Sequence, residues 1–441
     1  MAMQWRPSLI GREGSRLGRP IRVLYFTMVS LATSGNGGGM CCRNHVARLA
    51  GDSGIELFGM VAGTHSLKDG TDEFFSGLGV PYHFQIFRTD NIHHEANRVR
   101  SIASFAKTLI FQFPWELQAL NQSHIQEGID WAIKRYGIDA LVIDYHPSAL
   151  FLRLPRTDIP TVLISLNREG DFYSDQIRLG HTYHGSLTAA VSFHRARRFE
   201  RHVHAVVDKV VTIGKPDLPR HKVRSPPVCI TPYLDPKPDG WRYSATRAAF
   251  FVGDVNHYPN RIAVDWIVQR LAPALLNRNS DIRIEIVGAA EHQVPEDCRH
   301  ANLVLHGRSS ADHLARLFRT ADIMICPIAN DYGVKFKSLE ALSYGTPLLA
   351  SHQTMLGLPH LDPAHAFDLE RPEAAVDMLC GLVNDPERLT ALQRDQQVRQ
   401  SQFIASQHGI WSRTLGTLMR MPEPHQAEPA RRVDARPELS I

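Results

Sequence analysis

The sequence predicts an α/β protein built from two parallel-sheet domains. Continuous apolar segments recur along most of the chain, and helix-compatible segments separate them. Strands that are apolar throughout are typical of parallel sheets covered by helices on both faces. A proline-rich stretch interrupts this alternation near the middle of the chain, and 441 residues suit two domains better than one.

The first domain is predicted over residues 21–230. An apolar strand is followed by a glycine-rich loop and a helix, and the alternation then continues, which is typical of a parallel sheet covered by helices. The predicted strands are 21–27, 55–61, 140–144, 160–165 and 209–213, with the loop at 34–39 and the helix at 40–49. Residues 1–20 are polar with four arginines, and we expect a disordered leader there.

A linker is predicted at 231–247, where prolines and polar residues dominate. The second domain is then predicted over 248–403, and its strand ends carry glycines or a loop where ligands of parallel sheets bind. Its predicted strands are 249–253, 282–288, 303–307 and 323–327, with helices at 263–276 and 310–319. Residues 404–421 are expected to form one helix that crosses back to the first domain, and 422–441 a disordered tail.

Composition excludes several classes of function. The net charge of +4 is small for this length and argues against a nucleic-acid partner. The spacing of the six cysteines fits neither a zinc site nor a disulfide framework, which indicates a reducing, cytoplasmic location. No apolar run reaches the ~18 residues that a membrane span needs. Vicinal Cys41 and Cys42 are interpreted as small apolar residues at a helix start rather than a redox pair.

Two segments of the first domain leave contact with a membrane surface open. Residues 98–117 are amphipathic, with cations at one end and aromatic residues at the other. They fit either a helix in a membrane interface or a helix packed on its own sheet. Residues 195–201 carry four arginines, which is typical of a solvated helix face. Peripheral contact at the inner face of the membrane therefore stays a prediction.

The most informative segment runs from Gly333 to Ser351. Lys335 and Lys337 lie in the first turn of a predicted helix, whose N-terminus favours phosphate. Glu340 comes about one sugar unit further along the helix, where a carboxylate can accept hydrogen bonds from ribose hydroxyls. The same pattern also fits a simple ion pair between Lys337 and Glu340. Gly345 is expected to end the helix.

The second domain resembles retaining glycosyltransferases of the GT-B architecture, in particular family 4, the glycosyl transferases group 1. Both domains of this architecture are Rossmann-like and face each other across a cleft. The matching segments come in the family's order and cover about 248–420, whereas 21–230 match only in outline. The segments are 250–260 with 263–266, 284–288, 306–308 with 321–322 and Pro327, 333–341 with 345–347, 355–358 and 410–411.

The resemblance implies a nucleotide-diphosphate sugar as donor substrate and no cofactor. It assigns the diphosphate to Lys337 and Lys335 and the ribose to Glu340. Arg308 is either a further phosphate ligand or a surface arginine. The donor-binding residues implied in addition are Gly253, Gly288, Gly333, Gly357 and Leu358, and the acceptor-side residues are Gly38, Gly39, His146 and Asn167. Cations can replace magnesium at the phosphates, so the sequence predicts a hexosyltransferase-type enzyme without a metal.

Two positions depart from the family. Many relatives have a glutamate eight residues before position 340, where this chain has Tyr332 beside Asp331. Relatives also often carry His-Asn where this chain has Leu166-Asn167, and His146 is the candidate to replace that histidine.

These departures leave three functions open. The first is transfer of a sugar, with retention, to a glycan, lipid-linked or small-molecule acceptor, as in polysaccharide biosynthesis. The second is a non-catalytic GT-B-like binding or assembly subunit. The third is a nucleotide-sugar epimerase of the same fold, although the carboxylate and histidine set it needs is not found in the sequence.

Overall fold

The structure is a computed structural model that describes residues 19–32, 37–87, 123–178 and 186–419. It contains two separate parallel sheets with helices packed against them. The predicted α/β class and the two parallel-sheet domains are therefore confirmed. The leader up to residue 18, the amphipathic segment 98–117 and the tail from residue 420 lie outside the described residues.

The first sheet has seven strands in the order β3-β2-β1-β4-β5-β6-β7. Every pair is parallel, and central Val23 lies opposite both Leu57 and Ala140. All residues of β4 and β5 are buried, as expected for strands covered on both faces. The strands are β1 Ile21–Thr27, β2 Ile55–Gly63, β3 Tyr82–Ile86, β4 Ala140–Asp144, β5 Thr161–Ser165, β6 Lys209–Thr212 and β7 Val228–Cys229.

The helices of the first domain differ from the sequence prediction mainly in where the first helix begins. The first helix begins at Gly37, so Gly38 and Gly39 form its first turn instead of a loop. Packing against β2 overrides the weak helix propensity of glycine here. The helices are α1 Gly37–Ala50, α2 Lys68–Leu78, α3 Ser123–Tyr136, α4 Glu169–Arg178 and α5 Ser186–Val206, with short 3₁₀ turns His65–Leu67, His146–Phe151 and Lys215–Asp217. Cys41 and Cys42 are buried and free in α1.

The second sheet has six strands in the order β10-β9-β8-β11-β12-β13, again all parallel. Buried aromatic and branched side chains fill both of its faces, among them Phe250 and Phe251. The strands are β8 Ala248–Val252, β9 Arg283–Val287, β10 Leu303–Gly307, β11 Ile323–Cys326, β12 Leu348–Ser351 and β13 Ala366–Phe367.

The helices around the second sheet follow the predicted alternation. The expected helix at 263–276 starts earlier, at Tyr258, and passes through one π-helical turn at Ile267–Leu271. The helices are α6 Tyr258–Trp266, α7 Ala272–Asn277, α8 Ala311–Thr320, α9 Phe336–Tyr344, α10 His352–Met355, α11 Pro372–Val383, α12 Pro386–Ser406 and α13 Ile410–Leu418, with 3₁₀ turns Glu291–Gln293, Glu296–Cys298 and Pro363–His365.

Residues 231–247 form neither helix nor strand and contact both domains. Near the start of this segment, the carbonyl of Tyr233 accepts a hydrogen bond from the Asn44 side chain of α1 at 2.6 Å. Further along, the backbone N–H of Trp241 donates to the carbonyl of Tyr344 at 2.6 Å, and its indole N–H donates to the carbonyl of Ala321 at 2.6 Å. The predicted linker is therefore held by the first domain at its start and by the second domain toward its end.

The C-terminal helix differs from the single helix expected over 404–421. α12 ends at Ser406, and Gly409 adopts a left-handed φ of 64° before α13 begins at Ile410. This break redirects the chain onto the first domain, where Trp411 packs edge-on against His45 and the Ser412 N–H donates to Asp52 at 2.9 Å. Within the described ranges, no helix combines the length and apolar character needed to cross a bilayer.

Candidate active site

The order of the second sheet defines where a ligand would bind. From β8 the chain moves to β9 and β10 on one side, and then crosses to β11 and β12 on the other. Ligands of open parallel sheets bind outside the carboxyl ends of the strands at such a reversal. Gly253 follows β8, and the loop 327–335 follows β11 and leads into α9. Two of the predicted donor-binding segments therefore meet at this point.

Helix α9 presents its N-terminus to this reversal point. Lys335 is its N-cap residue, and no side-chain cap bond satisfies the first N–H groups. Gly345 ends the helix with a left-handed φ of 71°, as the sequence predicted. The unpaired N–H groups and the positive end of the helix dipole favour an anion here.

Lys337 extends across the start of α9 toward β8. Its Nζ donates to Asn260 Oδ1 at 2.5 Å and lies 4.3 Å from the ring centroid of Phe251. A Cβ atom at position 253 would come 2.7 Å from this Nζ, so glycine there provides the space that the lysine occupies. Burial lowers the pKa of Lys337 to about 8, against the raising effect of Cys326 and Glu340. The side chain is therefore a cation at neutral pH with few groups solvating it.

Lys335 lies beside Lys337 at the same helix end. Its Nζ donates to the carbonyl oxygens of Tyr332 and Gly333. Burial lowers the pKa of Lys335 to about 8, although nearby Asp217 raises it. Two half-buried ammonium groups at one helix N-terminus are suited to a diphosphate.

Glu340 lies one turn further along α9 and is half-buried. Among the described residues, its carboxylate has neither a hydrogen bond nor a salt bridge, and Lys337 bonds Asn260 instead. The simple ion pair that the sequence left open is therefore not formed. Burial raises the pKa of Glu340, while Lys237 and Lys337 lower it. The carboxylate oxygens remain available to accept hydrogen bonds from a ligand.

The loop before α9 touches the first domain directly. The Gly333 N–H donates to both carboxylate oxygens of Asp217, at 2.9 and 3.1 Å. A Cβ at position 333 would lie 2.7 Å from Asn167 Oδ1, and Gly333 has a left-handed φ of 67°. Arg168 bonds Asp331 at 2.5 Å across the same gap. The cleft between the domains is therefore closed at this point by paired polar groups.

Tyr332 occupies the position where many relatives carry glutamate. It is buried, and its hydroxyl lies 2.9 Å from the hydroxyl of Tyr258, which donates to Asp175 at 3.1 Å. The phenol pair thus joins α6 to α4 of the first domain. Burial raises the pKa of Tyr332 well above its usual value, so the group stays protonated.

The other predicted donor residues divide into two groups. Gly288 packs against the backbone at Gly253, and a Cβ at Gly357 would lie 3.3 Å from the Gly333 carbonyl, so both line the same region. Leu358 is buried in the core of the second domain. Arg308 is exposed after edge strand β10, which two strands separate from β11. No contact within the described residues brings Arg308 to the lysines.

The predicted acceptor-side residues do not lie together in the structure. Asn167 contacts the Gly333 loop, as described above. Gly38 is exposed and Gly39 is buried in the first turn of α1, at the carboxyl edge of the first sheet. His146 is buried, with its Nε2 2.8 Å from Nε2 of His204. The structure therefore places His146 inside the first domain, in a polar cluster, and brings only Asn167 to the lysine helix.

Two carboxyl groups near His146 have unusual surroundings. Burial raises the pKa of Glu169 to about 8, with Glu200 adding to the shift and Asn167 opposing it. Burial also raises the pKa of Glu200 to about 7, against the N–H of Gly170. Glu169 belongs to the part of the first domain that borders the cleft, because it directly follows Asn167 and Arg168.

Sequence analysis missed Asp217 and Asn260 as site residues. Each belongs to a segment far from α9 in the chain, and each is brought there only by tertiary packing. No local pattern marks either one, apart from the position of Asn260 within the segment 250–260 that carries the family resemblance.

Part of the second domain matches a known protein family. Residues 246–385 match the model of the family described as glycosyl transferases group 1. A curated relative, an uncharacterised 44.6 kDa protein in the cps region of Klebsiella pneumoniae, is 27% identical over 99 residues, which are 21% of this chain and 26% of that protein. The match thus spans about a quarter of that relative's length.

Solved structures resemble most of the chain. Sucrose-phosphate synthase from Thermosynechococcus elongatus is 12% identical, with 90% of this chain and 100% of that chain covered at a TM-score of 0.57. HepE from Anabaena, solved in complex with UDP and glucose, is 10% identical, with 90% of this chain and 100% of that chain covered at a TM-score of 0.54. At these identities the likeness establishes the fold. This chain therefore has the GT-B fold, and residues 246–385 of its second domain match the glycosyl transferases group 1 family.

Proposed function

We propose that this protein is a glycosyltransferase that moves a sugar from a nucleotide-diphosphate sugar to a hydroxyl-bearing acceptor. The observation that carries the proposal is the arrangement on α9. Two half-buried lysines lie at its N-terminus, and Glu340, whose carboxylate has no partner among the described residues, follows one turn later on the same helix. Phosphate and ribose are separated by a similar distance in a nucleotide, since one helical turn rises about 5.4 Å.

Lys335 and Lys337 have the role of stabilising the leaving nucleoside diphosphate. When the bond between the sugar C1 and the phosphate oxygen breaks, its electron pair goes to the phosphate. The negative charge then develops beside two ammonium groups and the first N–H groups of α9. Preorganised charge of this kind can supply several kcal/mol of transition-state stabilisation, about 2.7–4 kcal/mol for a single well-placed donor.

The acceptor hydroxyl forms the new bond to C1 as the old bond breaks. Its proton passes to an oxygen of the departing phosphate, so the reaction balances without a protein nucleophile. The family resemblance supports attack on the face that the phosphate leaves, and hence retention of configuration. The cations of the lysine helix support a reaction in which no metal ion contacts the diphosphate.

Uridine is the first base to test, because HepE, which shares the fold, was solved with UDP and glucose. A glycan or lipid-linked acceptor is proposed from the family resemblance, with the enzyme acting in the cytoplasm or at the inner face of the membrane. Asn167 and Asp217, which line the first-domain side of the contact at Gly333, are the nearest described groups on which acceptor specificity could depend.

A non-catalytic binding subunit is the second candidate. The observation that favours it is Tyr332, whose hydroxyl is engaged with Tyr258 at the position where relatives carry a glutamate. Such a subunit would bind the nucleotide sugar and release no nucleotide.

Release of nucleoside diphosphate from UDP-, GDP- and ADP-sugars, with and without glycan acceptors, tests both candidates. If the protein is a glycosyltransferase, it should release nucleoside diphosphate from one of these donors. The release should be at least about 100-fold slower in Lys337→Met, because that variant lacks a charge-assisted contact. Binding without release would favour the subunit. Neither binding nor release with any donor would overturn both.

A further inference from the structure

We propose that the first domain contains a divalent metal site, of a kind suited to zinc, formed by His146, Glu200 and His204. The site lies outside the donor-binding helix α9 and is not required by the proposed transfer reaction. The ligand atoms of the three side chains all lie within 4.8 Å of one another. Two imidazoles and a carboxylate are a frequent ligand set for zinc.

The local structure places the three ligands on two rigid elements. Glu200 and His204 are four residues apart on α5 and so project from the same face of the helix. His146 begins the 3₁₀ turn that follows β4, one of the central strands of the first sheet. The three side chains are buried, with relative exposures of 8% for Glu200, 1% for His204 and 1% for His146.

A second layer of contacts supports the ligands. Nδ1 of His204 lies 3.0 Å from Nε2 of His221, which fixes the ring of His204 with its Nε2 toward His146. Oε2 of Glu200 accepts a hydrogen bond from the Gly170 N–H at 3.2 Å. Metal ligands in proteins are oriented by outer contacts of this type.

Glu169 borders the proposed site, although its carboxylate is not among the ligand atoms that lie within 4.8 Å of one another. It lines the same small cavity as His146, together with Leu150 and Ala196. Its side chain is only 3% exposed, and its Oε1 has no hydrogen-bond partner among the described residues. Neither Glu169 nor Glu200 has a salt bridge to lysine or arginine within the same ranges. A buried carboxylate without a salt bridge is costly, and a bound divalent ion would stabilise that of Glu200.

The alternative is a chain of three histidines without metal. In that arrangement the Nε2–H of His146 donates to His204, and the Nδ1–H of His204 donates to His221. Metal binding requires the two facing nitrogens, now 2.8 Å apart, to separate. Tetrahedral zinc with bonds of about 2.0–2.1 Å holds its nitrogens about 3.3 Å apart, so a shift of roughly half an ångström suffices.

The metal would connect the interior of the first domain to the cleft. Glu169 directly follows Asn167 and Arg168, and Arg168 bonds Asp331 of the second domain. Because the Gly170 N–H donates to Glu200, a metal ion that holds Glu200 would therefore help to fix the loop that meets the lysine helix. This role is structural, so metal content can be measured independently of sugar transfer.

The test is the metal content of the full-length protein after dialysis against an equimolar amount of zinc per chain. The proposal predicts about one tightly held zinc per chain in the wild type, and at least a tenfold lower content in His204→Gln and in Glu200→Gln. His360→Gln is the matched control, because His360 is a partly buried histidine of the second domain whose Nε2 lies 2.6 Å from Gln400 Oε1 and which lies outside both described clusters of metal-type ligands. The control should keep its zinc.

Two further measurements on the wild type guard against a variant that fails to fold. Chelation should lower the melting temperature, and zinc should restore it while magnesium does not. Cobalt in place of zinc should give the visible absorption bands of a tetrahedral nitrogen and oxygen site. A wild type that holds no zinc, or a control that loses zinc as fully as His204→Gln, would overturn the proposal in favour of the histidine chain or of binding by surface histidines.

Discussion

The backbone N–H of Gly333 donates to both carboxylate oxygens of Asp217, at 2.9 and 3.1 Å. These residues belong to different domains, and Gly333 lies two residues before the N-cap of the lysine helix. The segment that would hold the donor diphosphate is thus positioned partly by the first domain. Asp217 is buried, so this contact is formed out of water, where hydrogen bonds to a charged group are stronger.

Replacing Lys337 by methionine should weaken binding of a nucleoside diphosphate. Methionine keeps much of the apolar stem beside Phe251 but removes the ammonium group. Loss of a charge-assisted contact costs about 1.5–3 kcal/mol, which corresponds to an affinity roughly 10- to 100-fold lower by calorimetry. Lys68→Met, which removes the exposed pair with Asp72 in the first domain, is the control and should bind as the wild type does. Equal binding by all three proteins would remove Lys337 from the site.

Gly333→Ala should destabilise the contact between the domains. The left-handed φ of 67° costs an alanine about 1–2 kcal/mol. In addition, the new Cβ would lie 2.7 Å from Asn167 Oδ1, so the loop has to move. Denaturant unfolding and nucleotide binding should both be weakened. Gly77→Ala in α2 meets no atom within 4 Å and should be neutral or stabilising by up to about 1 kcal/mol. The same loss in both variants would contradict this explanation.

Asp217 should make stability depend on pH in a defined direction. Burial raises its pKa from 3.8 to about 6 in the folded protein, despite the N–H of Gly333 and the charge of Lys335. Between these two values the folded state holds a proton that the unfolded state has lost. The contribution of Asp217 to stability is therefore largest below pH 4, falls as pH rises toward 6, and is constant above that value.

The Asp217→Asn variant isolates this effect, because asparagine does not titrate. The free energy of unfolding of the wild type minus that of the variant should decrease between about pH 4 and 6, at no more than about 1.4 kcal/mol per pH unit. Denaturant unfolding across pH 4 to 8 measures it. A difference that stays flat, or that increases with pH, would show that Asp217 has an ordinary or lowered pKa.

Trp411→Ala should cost about 3–5 kcal/mol of unfolding free energy, since it removes a large buried side chain. Trp411 is 2% exposed and joins α13 to His45 in the first domain. Trp131→Ala provides a matched control, because Trp131 is 51% exposed on the first domain and should cost less than about 1 kcal/mol. If the two substitutions were equally tolerated, α13 would not hold the domains together.

The parts of the fold that local sequence determines were predictable. Continuous apolar strands marked both sheets, and Gly345 marked the end of α9. The start of α1 at Gly37 was not predictable, because packing of the helix against β2 outweighs the preference of glycine for loops. The break at Gly409 likewise depends on the return of Trp411 to the first domain.

The site residues also divide into those that the local sequence predicts and those that only long-range packing brings together. Lys335, Lys337 and Glu340 are close in sequence and share one helix, so their spacing could be derived from helical geometry. Asp217 and Asn260 reach this helix only through long-range packing, which no local pattern records. His146 follows a strand end like a cleft residue, yet it turns inward to His204.

Sugar transfer as proposed requires a nucleotide to bind at α9, and calorimetric titration of UDP, GDP and ADP into wild type and Glu340→Ala measures this binding. Glu370→Ala is the control, since that carboxylate is 83% exposed. We expect one nucleotide to bind the wild type and the control alike, and to bind Glu340→Ala at least about tenfold more weakly, because hydrogen bonds to a charged group are lost. Binding of no nucleotide, or equal binding to Glu340→Ala, would contradict it.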